Sequence, residues 1–136
     1  MNRGFSICCA VVAVLMTLFL CQTKVDAEQR EIFQVSDHAG FVLLPAKTER
    51  VEGPMPWVWY APTLGNRHPS HDEQWMFDRL HAAGIAIAGI DVGESYGNPE
   101  GRRVYQAFYE ELTRNRGFSA KPVLLARSRG GLMLYS

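Results

Sequence analysis

The run Lys121-Pro-Val-Leu-Leu-Ala-Arg-Ser-Arg-Gly-Gly-Leu-Met-Leu-Tyr-Ser136 decides the fold. Its apolar part, Val123 to Ala126, reads as a buried strand. Arg127, Ser128 and Arg129 read as a sharp turn, and Gly130 onward as the first turn of a helix. A tight strand-to-helix reversal leaves no room for large side chains. Ala126 meets that need on one side, Gly130 and Gly131 on the other. The turn therefore lifts the Ser128 hydroxyl to the edge of a sheet. The backbone N–H of Arg129 then points into the same space from a helix N-terminus.

Working outward from this run, strands and helices alternate. Glu31 to Val35 and Gly40 to Pro45 read as a hairpin, with its turn at Ser36-Asp37-His38-Ala39. Lys47 to Pro56 is a charged loop. Trp57 to Ala61 is apolar on both faces, as a strand inside a parallel sheet must be. Ser70 and Glu73 have the spacing of a capping box. They open a helix whose buried side is Trp75, Met76, Phe77, Leu80 and Ala83, stopped by Gly84. Ile85 to Ile90 is the next buried strand. A Gly-containing loop leads to a helix over Arg102 to Asn115, with Val104, Tyr105, Phe108, Tyr109 and Leu112 on its apolar face. Such alternation predicts an α/β layer structure with a parallel sheet.

Two serines compete for a chemical role. Gly93-Glu94-Ser95-Tyr96-Gly97 matches the letters G-x-S-x-G, whereas the Ser128 run has Ala126 in place of the first glycine. The nucleophile elbow behind that pattern requires the helix to start directly after the serine. Asn98, Pro99 and Gly101 separate Ser95 from its helix. At Ser128, strand and helix abut. Ser128 is therefore the candidate nucleophile, with the Arg129 N–H as an oxyanion donor. An inert turn hydroxyl and a phosphate-binding helix start are the plainer readings of Ser128. No Walker or dinucleotide glycine pattern accompanies it.

Through Trp57-Val-Trp-Tyr-Ala-Pro-Thr-Leu-Gly65, Asp91-Val-Gly-Glu-Ser-Tyr-Gly97 and Ala126-Arg-Ser-Arg-Gly-Gly131, the chain resembles the α/β-hydrolase fold family. The likeness is to its secreted esterase and prolyl-oligopeptidase-like groups, and it covers Gly40 to Ser136. It implies a three-layer α/β/α hydrolase-type, mostly parallel sheet, truncated after the elbow. In such hydrolases a second oxyanion donor comes from the loop after the first central parallel strand. Here that loop is Pro62 to Gly65, with Thr63 or Leu64 supplying the N–H. Ala61-Pro62 stands where the family usually has His-Gly. The loop from Asp91 to Gly97 is similar to a structural loop of the family. The family's acid and histidine follow the elbow, so residues 28–136 are expected to be the N-terminal part of such a domain, inactive alone. The implied activity is acyl-enzyme hydrolysis of a carboxylic ester, or of a peptide bond, with no cofactor. The rival from another class is a non-catalytic exported binding or structural module that keeps the fold.

Residues 1–27 read as a secretory signal peptide. Arg3 is the positive start, Phe5 to Leu20 the apolar stretch, and Val25-Asp26-Ala27 the cleavage site. The stretch is shorter than the ~20 residues a membrane-spanning helix wants, so an uncleaved anchor is the lesser reading. Leu20 before Cys21 is too large for a lipoprotein site. The chain is therefore expected to be exported, periplasmic or extracellular, with no stable membrane association once the leader is cut. All three cysteines, Cys8, Cys9 and Cys21, lie in the leader. Removing it takes Arg3, Lys24 and Asp26 from the 14 basic and 14 acidic residues, leaving 12 against 13. So even a balance argues against nucleic acid as a partner and for a small-molecule ester or peptide substrate.

The remaining candidates are weaker. His38, His68, His71 and His81 all precede Ser128, and His71 is the best placed to act as its base. Pro69 keeps His68 and His71 off a regular helix face, so no metal site is expected. Trp57, Trp59, Tyr60 and Trp75 read as core before they read as a sugar-stacking platform. Arg127 and Arg129 either grip an anionic substrate group or are ordinary surface charges.

Overall fold

The computed structural model describes residues 29–61 and 71–136. The expected leader and the stretch from Pro62 to Ser70 lie outside them. Within them run β1 (Gln29–Val35), β2 (His38–Leu44), β3 (Trp57–Ala61), α1 (Gln74–Ala82), β4 (Ala86–Ile90), α2 (Pro99–Glu110), β5 (Val123–Ala126) and α3 (Gly130–Leu134).

The strands form one sheet in the order β1-β2-β4-β3-β5. β1 pairs antiparallel with β2, and β2 with β4. β3 lies parallel to both β4 and β5. The chain therefore steps from β3 to β4 in one direction and from β4 across β3 to β5 in the other. Right-handed crossovers in opposite directions put their helices on opposite faces. Side-chain alternation records the outcome. Phe41, Leu43, Tyr60 and Ile87 pack with Phe77 of α1. Val42, Leu44, Trp57, Trp59, Ala86, Ala88 and Ile90 pack with Val104, Tyr105, Phe108 and Leu112 and with Met133 of α3. The three-layer α/β/α arrangement expected from the sequence is the one found.

Local chemistry explains the joints. The hairpin turn is two residues, Ser36 and Asp37, rather than four, with φ of 48° and 63°. Positive φ at both positions matches the twist of the strands it joins. α2 begins at Pro99, three residues before the sequence suggested. The Asn98 side chain caps it by accepting from the Gly101 N–H at 2.8 Å, and proline takes the first helical position. Gly89 has a packing reason. A Cβ there would lie 2.5 Å from the Tyr60 carbonyl oxygen and 2.8 Å from the Phe41 ring.

Two expectations need correction. Trp75 is 64% exposed, so it is not on the buried side of α1; that side is carried by Phe77 with the partly buried Met76 and Leu80. Ala83 is exposed as well. The capping box rests on Ser70, which lies outside the described residues; within them the Glu73 carboxylate is engaged by Tyr60 and Arg127. Val123 and Leu124 of β5 are exposed, at 65% and 38%, rather than buried. β5 is the edge strand beyond β3 among the described residues, so its apolar side chains are covered from one side only.

Candidate active site

Ser128 lies between the last residue of β5 and the first of α3, and it is exposed. Its φ is 52°, a left-handed conformation that side chains other than glycine rarely adopt. Neighbouring hydrogen bonds set the turn. The Arg127 N–H donates to the Ala61 carbonyl at 2.9 Å, which extends the β3–β5 ladder one residue past the strand. The Gly130 and Gly131 N–H groups donate to the Arg127 and Ser128 carbonyls, each at 3.0 Å, and so start the helix at once. Backbone strain at a surface hydroxyl is a recurrent mark of functional sites, where the surroundings hold it in place.

The position within the sheet is as informative as the turn. β3 leads to α1 on one face and the neighbouring β5 leads to α3 on the other. In an open parallel sheet, a crevice forms where adjacent strands send their connections to opposite faces, at the carboxyl ends of the strands. Ser128 stands at that point. Thr63 and Leu64 follow β3 and lie outside the described residues, as does His68.

The other serine is placed differently. A Cβ on Gly101 would fall 2.2 Å from the Ser95 Oγ, so this hydroxyl packs against the first turn of α2. The Ser95 carbonyl accepts from the Asn98 N–H at 2.9 Å. Ser95 thus shapes the loop that caps α2.

Both arginines flanking Ser128 are engaged by carboxylates. Arg127 Nη1 meets Glu73 Oε1 at 2.5 Å, and Arg129 Nη1 meets Glu94 Oε1 at 2.7 Å. Glu73 is buried and also accepts from the Tyr60 hydroxyl at 2.9 Å. The Glu73 contact pushes the Arg127 guanidinium above its ordinary range. Sequence alone showed the two arginines but not their partners, which lie 54 and 35 positions earlier.

Two histidines are held by backbone carbonyls, and His71 is exposed in the single turn His71–Glu73 that leads into α1. His38 Nδ1–H donates to the Asp91 carbonyl at 2.7 Å. His81 is buried, and its Nε2–H donates to the Leu43 carbonyl at 3.3 Å. Among the described residues no group of three His, Cys, Asp or Glu side chains is placed to hold a metal ion. Trp57, Trp59 and Tyr60 are core, as expected.

Burial first, then Glu73, push the Tyr60 phenol up to about 12. Burial first, then the Asp91 charge, push Tyr105 to about 12 also. A raised folded-state value means the protonated phenol stabilises the fold below the ordinary value of 10.0, and that this contribution is lost as pH rises from there to about 12. Titration followed by tyrosinate absorbance should show these two phenols ionising late, together with a fall in stability over the same interval. Tyr60→Phe and Tyr105→Phe should each remove one late step.

No protein-family model and no curated protein sequence matches the chain. Solved structures do. A dienelactone hydrolase-like promiscuous phosphotriesterase from metagenomic libraries superposes with a TM-score of 0.58 at 20% identity, over 80% of this chain and 53% of its own. The chain has the α/β-hydrolase fold. A thermostable esterase from Pseudomonas putida gives a TM-score of 0.55 at 18% identity, over 93% of this chain and 43% of its own. Brefeldin A esterase, a bacterial homologue of human hormone-sensitive lipase, gives 0.53 at 20% identity, over 98% and 44%. The chain therefore spans about half the length of these α/β-hydrolase-fold structures.

Proposed function

We propose that the chain carries the nucleophile of an exported serine hydrolase that cleaves a carboxylic ester. The observation that carries this reading is Ser128 itself: a non-glycine residue at φ 52°, exposed, between a parallel strand and a helix, at the crevice position of the sheet. The structural neighbours that are esterases support the ester over the peptide bond.

In the proposed reaction, Ser128 Oγ attacks the acyl carbon and a base takes its proton. The N–H of Arg129 and that of Thr63 or Leu64 hold the carbonyl oxygen as it becomes an oxyanion. The intermediate collapses, the alcohol leaves with the proton from the base, and water then releases the acid from Ser128. A histidine oriented by a carboxylate is the base that fits this fold. His38 and His81 are bonded to backbone carbonyls, and the neighbours are about twice as long. Both facts support a catalytic unit larger than residues 28–136, with the base and acid outside them and this stretch inactive alone. The test is covalent labelling of the full-length protein by a fluorophosphonate, with Ser128→Ala and Ser95→Ala as the deciding variants. Labelling absent from all three proteins would favour the non-catalytic exported module.

Export rests on the leader. Exported material should begin at Glu28 on N-terminal sequencing, and retention of Met1 would show an anchor instead. Among the described residues, no helix is long and apolar enough to cross a membrane.

A further inference from the structure

We infer that Glu73 and Glu94 are positioning residues for Ser128: through Arg127 and Arg129 they clamp the elbow from the two helical layers and keep the serine in its left-handed conformation. The inference rests on the reading of Ser128 as the nucleophile. Ser128 has one arginine before it and one after it. In a three-residue turn their side chains diverge, and each ends on a carboxylate. Glu73 stands at the start of α1 and is bonded to Tyr60, which packs with Phe77 on the α1 face. Glu94 belongs to the loop between β4 and α2, on the other face. That loop also touches α3, because a Cβ on Gly97 would lie 2.8 Å from the Leu132 carbonyl oxygen.

The two carboxylates differ in setting. Glu73 is buried, with its side chain 11% exposed, and it holds both a phenol and a guanidinium. A guanidinium that satisfies a buried carboxylate is kept in one place, because letting go leaves the carboxylate desolvated and unpaired. Glu94 is more open, at 36%, and its second oxygen accepts from the Tyr96 hydroxyl. Tyr96 has φ of 50°, so the loop presenting Glu94 is itself tightly folded. Each loop follows one of the parallel strands next to or near β5. The clamp thus ties the serine to the crevice wall on both sides, where the reacting carbonyl must be held.

The test uses the full-length protein with Glu73→Gln, Glu94→Gln and the double variant, which keep shape and remove charge. Amide hydrogen exchange reads the clamp without any catalysis. The Gly130 and Gly131 N–H groups, bonded to the Arg127 and Ser128 carbonyls, should exchange about tenfold faster in the double variant, while amides of the β3–β4 ladder hold their rates. Ester turnover reads the positioning: kcat should fall up to about a hundredfold in the double variant with KM and melting temperature held. Unchanged exchange at Gly130 and Gly131 would overturn the clamp, and so would a kcat loss that merely tracks melting temperature. Absence of Ser128-dependent turnover in the unsubstituted protein would be a failure of the nucleophile reading alone, because exchange still decides the clamp.

Discussion

Replacing Ser128 by alanine should abolish covalent labelling and lower ester turnover of the full-length protein by roughly a million-fold, to the residue left by binding and oxyanion contacts. Ser95→Ala should leave both nearly intact. The size of the effect follows from the chemistry. A hydroxyl activated by a base and aimed at a carbonyl has no substitute once the oxygen is gone, and the rest of such a site works only through it. The contrast between the two serines follows from their surroundings. The Ser128 hydroxyl is carried on a turn at φ 52° and open to solvent, whereas the Ser95 Oγ packs against Gly101 at the start of α2. Circular dichroism of Ser128→Ala should match that of the parent, since an exposed hydroxyl is removed and no core contact is lost. Labelling that survives Ser128→Ala and disappears in Ser95→Ala would reverse the assignment.

The second large effect is on stability. Phe108→Ala should cost about 3–5 kcal/mol, the range for truncating a buried aromatic. Phe108 is fully buried. Its ring lies 5.6 Å from Trp59, 6.4 Å from Trp57 and 6.1 Å from Phe33, so it joins α2 to β3 and to the outermost strand β1. Removing it opens a cavity beside the stacked Trp57 and Trp59 rings, whose centroids are 5.4 Å apart and which the β3 backbone holds in place. A typical domain has only about 5–15 kcal/mol of stability in total, so the loss is a large share of it. Ile32 on β1 is 59% exposed, and Ile32→Ala should stay within about 0.5 kcal/mol. Denaturant midpoints of the two variants check the pair. Equal shifts would mean that α2 does not pack on the sheet through Phe108.

Much of this protein was determined by local sequence. Two-sided apolar runs at Trp57 to Ala61 and Ala86 to Ile90 could only be interior strands, since a polar face would show as alternation. The apolar stripe of Val104, Tyr105, Phe108 and Leu112 could only be one side of a helix. The elbow was legible for the same reason: an apolar strand, one serine and two glycines leave few backbone paths. The proposed choice between the serines rests on the residues after each.

Tertiary structure decided what short spacing does not encode. Trp75 has the right period for the core of α1, yet it is 64% exposed, because the sheet face under α1 is filled by Phe77. Val123 and Leu124 carry the composition of an interior strand, and only the sheet order shows β5 at an edge. Glu73 has the spacing of a cap, and only the fold brings a buried phenol and a guanidinium 54 residues away to its carboxylate. Pairings of that kind depend on which strand lies beside which. The sequence sets the strands and helices through local periodicity. Their order in the sheet, and with it the two glutamates brought to the sides of Ser128, is set only when the crossovers pack.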